Sequence, residues 1–137
     1  GCLPVTGSAT GFQNLAGQQM VNAPRWKLNV GGNLDVPLAS MPFDGFVQAD
    51  VSYQSSVKFD FSNPALVQGA YAIVNGSIGI DQKERGGLRI ALFVNNLFDK
   101  HYASALGIAS GGTAGLVAQT FSRNARRYAG VRARFRF

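Results

Sequence analysis

A chain of 137 residues that is 46% apolar, 11% aromatic and 15% charged has too many rings and too few charges for a disordered segment. Its apolar residues lack the helical spacing that a bundle requires. The net charge of +6 comes largely from six arginines in the last fifteen positions; the final ones alternate with apolar residues instead of forming a basic block, which argues against a nucleic-acid partner.

Period two runs through the chain from Pro24. Trp26, Leu28, Val30, Gly32, Leu34 and Val36 share one side, with Arg25, Lys27, Asn29, Asn33 and Asp35 on the other. Such alternation predicts a strand with one dry face. Gly45–Ser56 repeats it, with Val47, Ala49, Val51 and Tyr53 dry. Gly69–Asp81 does so with Ala72, Val74, Gly76, Ile78 and Ile80, against a polar side on which Ile73 is a misfit. Leu88–Asn96 sets Leu88, Ile90, Leu92 and Val94 to one side, and the last run does the same with Ala129, Val131, Ala133, Phe135 and Phe137. Between these strands the connections alternate in length: Pro37–Asp44 and Asp81–Gly87 are short, Val57–Gln68 is longer, and Lys100–Arg123 is a long loop rich in Gly, Ala and Ser.

The expected fold class is therefore all-β and antiparallel. A soluble sandwich and a transmembrane barrel both satisfy the alternation, the first hiding the dry faces between two sheets and the second turning them to lipid. The longest uncharged stretches, Phe61–Ile80 and Ala103–Ser122, are too polar and glycine-rich for a membrane helix of about 20 residues. A spanning strand needs only about 9 to 11 residues, every second one apolar. Trp26, Tyr53 and Tyr71 near the long-loop ends, with Phe135 and Phe137 at the other, are similar to the two aromatic girdles of an outer-membrane barrel. Alternating short turns and long loops agree with that architecture. Tyr71 falls on the polar face and fits it less well.

Asn95–Tyr102 reads NNLFDKHY, closing an apolar strand and opening a long loop. Here the chain resembles the C-terminal barrel region of a TonB-dependent outer-membrane receptor, on the cluster Asn96, Leu97, Phe98, Asp99 and Tyr102. NLAGQQMVNAPRW at 14–26, YAIVNGSIGI at 71–80 and RRYAGVRARFRF at 126–137 agree with it in order. The resemblance spans nearly everything from about Phe12. It implies an extracellular loop over 1–24, then strands and loops over 25–137, without the plug domain. Phe137, Phe135, Ala133, Val131 and Ala129, apolar at alternate places back from the terminus, resemble the signal by which a barrel's last strand is recognised during outer-membrane assembly.

Barrels of that family have about 22 strands. About five are expected here, and five alone in lipid would leave two edges of unsatisfied backbone groups. The missing initial Met, the single Cys2 and the strand count thus suggest a piece of a larger barrel, any export signal lying upstream. By resemblance, the function is that of a segment of a receptor for energy-coupled uptake of a scarce ligand, an iron–siderophore or another large nutrient, in the outer membrane of a Gram-negative bacterium. Implied partners are outer-membrane lipid and lipopolysaccharide, the remaining barrel and plug, and an inner-membrane coupling protein that meets the absent N-terminal part. The alternatives are a passive or structural outer-membrane barrel and a soluble β-sandwich binding module.

Catalytic, cofactor and metal sites are not expected. His101 is the single histidine, one cysteine builds neither a disulfide framework nor a thiolate zinc site, and the seven carboxylates lack calcium-loop spacing. Arg132, Arg134 and Arg136 should point inward at the short-turn end and pair with acidic groups of neighbouring strands or of the plug. Arg123, Arg126 and Arg127, at the other end, are the candidates for contact with ligand or lipopolysaccharide.

Overall fold

The computed structural model describes residues 16–61, 63–83, 87–109 and 116–135. In chain order the strands are β1 (Lys27–Val36), β2 (Phe43–Gln54), β3 (Val57–Lys58), β4 (Val67–Gln68), β5 (Tyr71–Gln82), β6 (Leu88–Asn95), β7 (Ala105–Ile108), β8 (Val117–Thr120) and β9 (Tyr128–Phe135), with one 3-10 turn at Arg123–Ala125. Five of them form an antiparallel sheet in the order β1-β2-β5-β6-β9. The five strands expected from the alternation are these five, with β2 beginning two residues before Gly45.

Pairing register brings the five dry faces to one side. Leu34, Val47, Ile78, Leu92 and Val131 form a continuous row across the sheet. Flanking rows are Gly32–Ala49–Gly76–Val94–Ala129 and Val36–Gly45–Ile80–Ile90–Ala133. Because side chains alternate with a period of two, a slip of one residue in any pairing would break all three rows at once. On the reverse side run Asn33–Gln48–Ser77–Phe93–Gly130 and Asp35–Phe46–Gly79–Ala91–Arg132. Two glycines make room for rings on that polar side. A Cβ on Gly130 would stand 3.0 Å from Phe93 Cζ, and one on Gly79 would collide with the Ile90 carbonyl oxygen and lie 2.8 Å from Phe46 Cε1.

The apolar face is uncovered. Leu34, Val47, Ile78, Leu92 and Val131 are 63%, 42%, 57%, 57% and 66% exposed. Among the described residues, the buried apolar side chains are Phe46, Val57, Leu66, Ala103 and Ala125, and Phe46 alone of these belongs to the sheet. At roughly half exposure, covering each member of the central row is worth about 1 kcal/mol. One row of five thus represents about 5 kcal/mol, comparable with the net stability of a small domain.

The sheet is open, and no barrel closes among the described residues. Strand direction explains why. With five antiparallel strands, β1 and β9 run the same way, and joining them would make a parallel pair. An all-antiparallel closed sheet needs an even number of strands. Each outer edge therefore offers a ladder of backbone groups to a strand running the opposite way.

The connections alternate as expected, but the long ones are more ordered than loops. Pro37–Pro42 joins β1 to β2 at one end, where β5 also ends and β6 begins, and which we call the short-turn end; of the short turn expected over Asp81–Gly87, residues 84–86 lie outside the described residues. At the other end β3 pairs with β4 and β7 with β8, so both long connections carry two-stranded ladders. Lys100–Arg123, expected as an irregular loop, contains the second. Ala105–Ile108 and Val117–Thr120 are short runs whose apolar residues are diluted by glycine and alanine, which hides them from a periodicity reading.

Candidate functional site

Side-chain chemistry collects at the two ends of the polar face. At the long-connection end, the chain leaves β6 through the Asn-Leu-Phe-Asp turn. Asn96 and Asp99 adopt φ of 52° and 50°, a left-handed conformation that short polar residues tolerate better than other non-glycine types. Leu97 N–H donates to the Val74 carbonyl and Asp99 N–H to the Asn96 carbonyl, both at 2.8 Å.

Asn96 is 1% exposed and is the hub of this turn. Its Nδ2 donates to the carbonyls of Lys100 at 3.0 Å and Ala125 at 3.2 Å, while its Oδ1 accepts the Lys100 N–H at 2.8 Å. Its backbone N–H donates to Asn75 Oδ1 at 3.0 Å, and Asn75 Nδ2 in turn donates to Asp50 Oδ2 at 2.7 Å. One buried amide thus ties β6 to both ends of the longest connection, and the chain of bonds continues through β5 to β2. A buried polar group satisfied in this way specifies a conformation instead of destabilising it.

Asp99 closes the same clasp from outside. Its Oδ1 accepts the Arg127 N–H at 2.8 Å. That bond is the largest cause holding the carboxyl below its ordinary value of 3.8, opposed in part by burial and reinforced by His101, Arg127 and Arg126. His101 Nε2 lies 3.5 Å from Asp99 Oδ2. Downstream, the Ala103 N–H donates to Gln68 Oε1 at 2.8 Å, and Tyr102 stacks on Tyr71 with ring centroids 4.4 Å apart and planes inclined by 16°. Residues 96–103 are therefore pinned to β5 and to the segment just before β9. Beside the stacked rings a hollow of about 300 Å³ is lined by Lys27, Asn29, Ser52 and Gln54, the size of a small ligand cleft with amide and hydroxyl groups to orient what enters.

At the short-turn end the polar face is charged. Arg89 pairs with Asp81 at 3.1 Å and lies 3.7 Å above the Phe46 ring; Lys83 pairs with Asp44 at 3.0 Å. Arg132 stands 5.0 Å from the Phe93 ring centre, and Arg134 is the cross-strand partner of Arg89. Between these groups is a hollow of about 240 Å³.

The turn residues singled out in the sequence thus come together, in divided roles. Asn96 and Asp99 clasp, Tyr102 stacks, and Leu97 and Phe98 are exposed at 41% and 74%. Arg126 and Arg127 lie near Asp99, while Arg123 belongs to the 3-10 turn, and all three are exposed. Ala129, Val131, Ala133 and Phe135 lie on the apolar face of β9; Phe137 and Arg136 fall outside the described residues. Arg132 and Arg134, expected to pair with acidic groups of neighbouring strands or of the plug, have no carboxylate partner among the described residues. Sequence reading missed Asn75, Asp50 and Phe46. Asp50 and Asn75 are polar residues mid-strand on the polar face, a signal that could have marked a hydrogen-bonded network.

Among the described residues, no group of three His, Cys, Asp or Glu side chains gathers where a metal ion could be held. Comparison with known protein families, curated proteins and solved structures finds no match.

Proposed function

We propose that this chain is the closing portion of a TonB-dependent receptor barrel in the outer membrane, taking part in energy-coupled uptake of a scarce ligand. The observation that carries the reading is the uncovered apolar face, in register over five antiparallel strands and backed by a polar face. Its height suits a bilayer. From Phe43 to Tyr53 along β2 the chain rises about 34 Å, which at a tilt of about 45° projects to about 24 Å, against an apolar band about 25 Å tall in such barrels. Trp26 and Tyr53 stand at the long-connection end of this face, and Phe43 and Phe135 at the short-turn end, as interfacial aromatics would.

In that setting the two outer edges receive the neighbouring barrel strands, both running opposite to β1 and β9. The polar face lines the interior, the long connections reach outward, and the Asn96 clasp gives the longest of them a fixed base from which to meet a ligand. Arg123, Arg126 and Arg127, with exposed Phe98 adjoining the Asp99 that accepts the Arg127 N–H, are placed for contact with lipopolysaccharide or ligand.

Orientation tests the reading. In a background where Cys2 is replaced by serine, a single cysteine at Ser104 or Ser122 is expected to react with a membrane-impermeant maleimide on intact cells, and one at Lys83 only after the outer membrane is opened. Labelling at Lys83 with protection at Ser104 and Ser122 would reverse the topology. Equal labelling of all three sites in a soluble fraction would remove the membrane assignment.

A further inference from the structure

The arrangement of arginines on β6 and β9 is electrostatically incomplete. Arg89 and Arg134 face each other across the strand pair, and like charges directly opposite are destabilising unless something of opposite sign lies between them. Arg89 already holds Asp81. Among the described residues neither Arg132 nor Arg134 has a carboxylate partner, although the Phe93 ring beneath Arg132 fixes that guanidinium over the polar face. The adjoining hollow, about 240 Å³, is below the range of about 300–1,000 Å³ typical of clefts that hold a whole small molecule. It suits inserted side chains.

We propose that this end of the polar face is a docking surface for an acidic peptide segment in extended conformation. Arg132 and Arg134 lie two residues apart on one face of a strand, a repeat of about 6.8 Å. Alternate side chains of an extended peptide recur at the same spacing, so two carboxylates in an acid–any–acid pattern meet the two guanidiniums one to one. Each guanidinium presents a planar fork of donors matched to a carboxylate. The first carboxylate of such a peptide neutralises Arg132. The second lies beside Arg134 and screens it from Arg89, removing the like-charge contact that the free face carries. This inference goes beyond the receptor reading and does not depend on it, because it concerns the polar side of the sheet whatever covers the other.

Binding of fluorescein-labelled Glu-Ser-Glu-Ser-Glu to the full chain, folded in detergent micelles, tests the proposal by fluorescence anisotropy. The acidic peptide should bind saturably and weaken as salt is raised. The amide peptide Gln-Ser-Gln-Ser-Gln should bind at least tenfold more weakly, and the double variant Arg132→Gln, Arg134→Gln should lose at least tenfold for the acidic peptide. Arg25→Gln with Lys58→Gln, at the opposite end, should leave affinity unchanged and shows that net charge alone is not the cause. Equal binding of the amide peptide, or unchanged affinity in the double variant, would overturn the proposal. Displacement of the peptide by an equal concentration of inorganic phosphate would also overturn it, in favour of a site for small anions. Failure of these arms leaves the cell-labelling result untouched, so the two readings fail separately.

Discussion

Replacing Leu92 by arginine within the complete barrel that contains this chain should destabilise it by about 2–4 kcal/mol in lipid vesicles, the cost of a cation near the midplane of a barrel's outer surface. Leu92 is the fourth member of the central apolar row, between Ile78 and Val131, and is 57% exposed. With lipid as its surroundings, the guanidinium would have to leave water or drag water in. The matched control is Gln48→Arg, on the opposite face between Asn33 and Ser77, where the expected cost is under about 1 kcal/mol. Ala91 would be a poorer control because it faces Arg132. Urea unfolding followed by the gel shift between folded and heated forms measures both variants. A face open to water would tolerate arginine within about 0.5 kcal/mol, so equal stability of the two variants contradicts a lipid-facing Leu92.

Asn96→Ala is expected to cost about 2–4 kcal/mol, more than most substitutions at a loop base. The change removes three hydrogen bonds from a buried amide, leaving the Lys100 N–H and the Ala125 carbonyl without that partner. Alanine also takes the left-handed conformation less readily than asparagine, a cost on the order of 1 kcal/mol. Asn96→Gly separates the two contributions: it relieves the backbone cost but not the lost bonds, and should recover about 1 kcal/mol of the deficit. Asn96→Asp should stay destabilised, since it sets an acceptor against the carbonyls of Lys100 and Ala125. Hydrogen exchange at the Lys100 amide should quicken in the alanine and glycine variants and stay slow in the aspartate variant, which keeps an oxygen to accept that N–H. A loss below 0.5 kcal/mol with unchanged exchange would mean that the turn is held by Asp99 and the Tyr71–Tyr102 stack instead.

The strands were legible because each carries one consistently apolar side, and register then follows from matching those sides. Leu34, Val47, Ile78, Leu92 and Val131 were each assignable to a dry face from sequence, and the sheet aligns them without a slip. Hairpin ladders β3–β4 and β7–β8 were not legible. They span two to four residues per strand, too short for a period of two to register, and long-range bonds such as Asn22 N–H to the Lys58 carbonyl are invisible in composition.

The candidate site was half visible. NLFD stood out as a motif, yet nothing in its spacing says that Asn96 is the buried hub while Phe98 is exposed, because that division depends on a left-handed turn and on carbonyls 4 and 29 positions away. Ile73 and Tyr71, misfits on a polar face, line the hollow beside Tyr102. At Tyr71 the alternation is broken by a ring that stacks on Tyr102.

A nitroxide scan along β5, the central strand, addresses the lipid-facing sheet most directly. Single labels at each position from Ala72 to Ile80, in the complete barrel that contains this chain reconstituted into vesicles, report collision with oxygen, which concentrates in lipid, and with a water-soluble nickel chelate. A period of two is expected, with Val74, Gly76 and Ile78 favouring oxygen and Ile73, Asn75 and Ser77 favouring the chelate or shielded from both. Chelate access at Val74, Gly76 and Ile78 equal to that on the other face would contradict it.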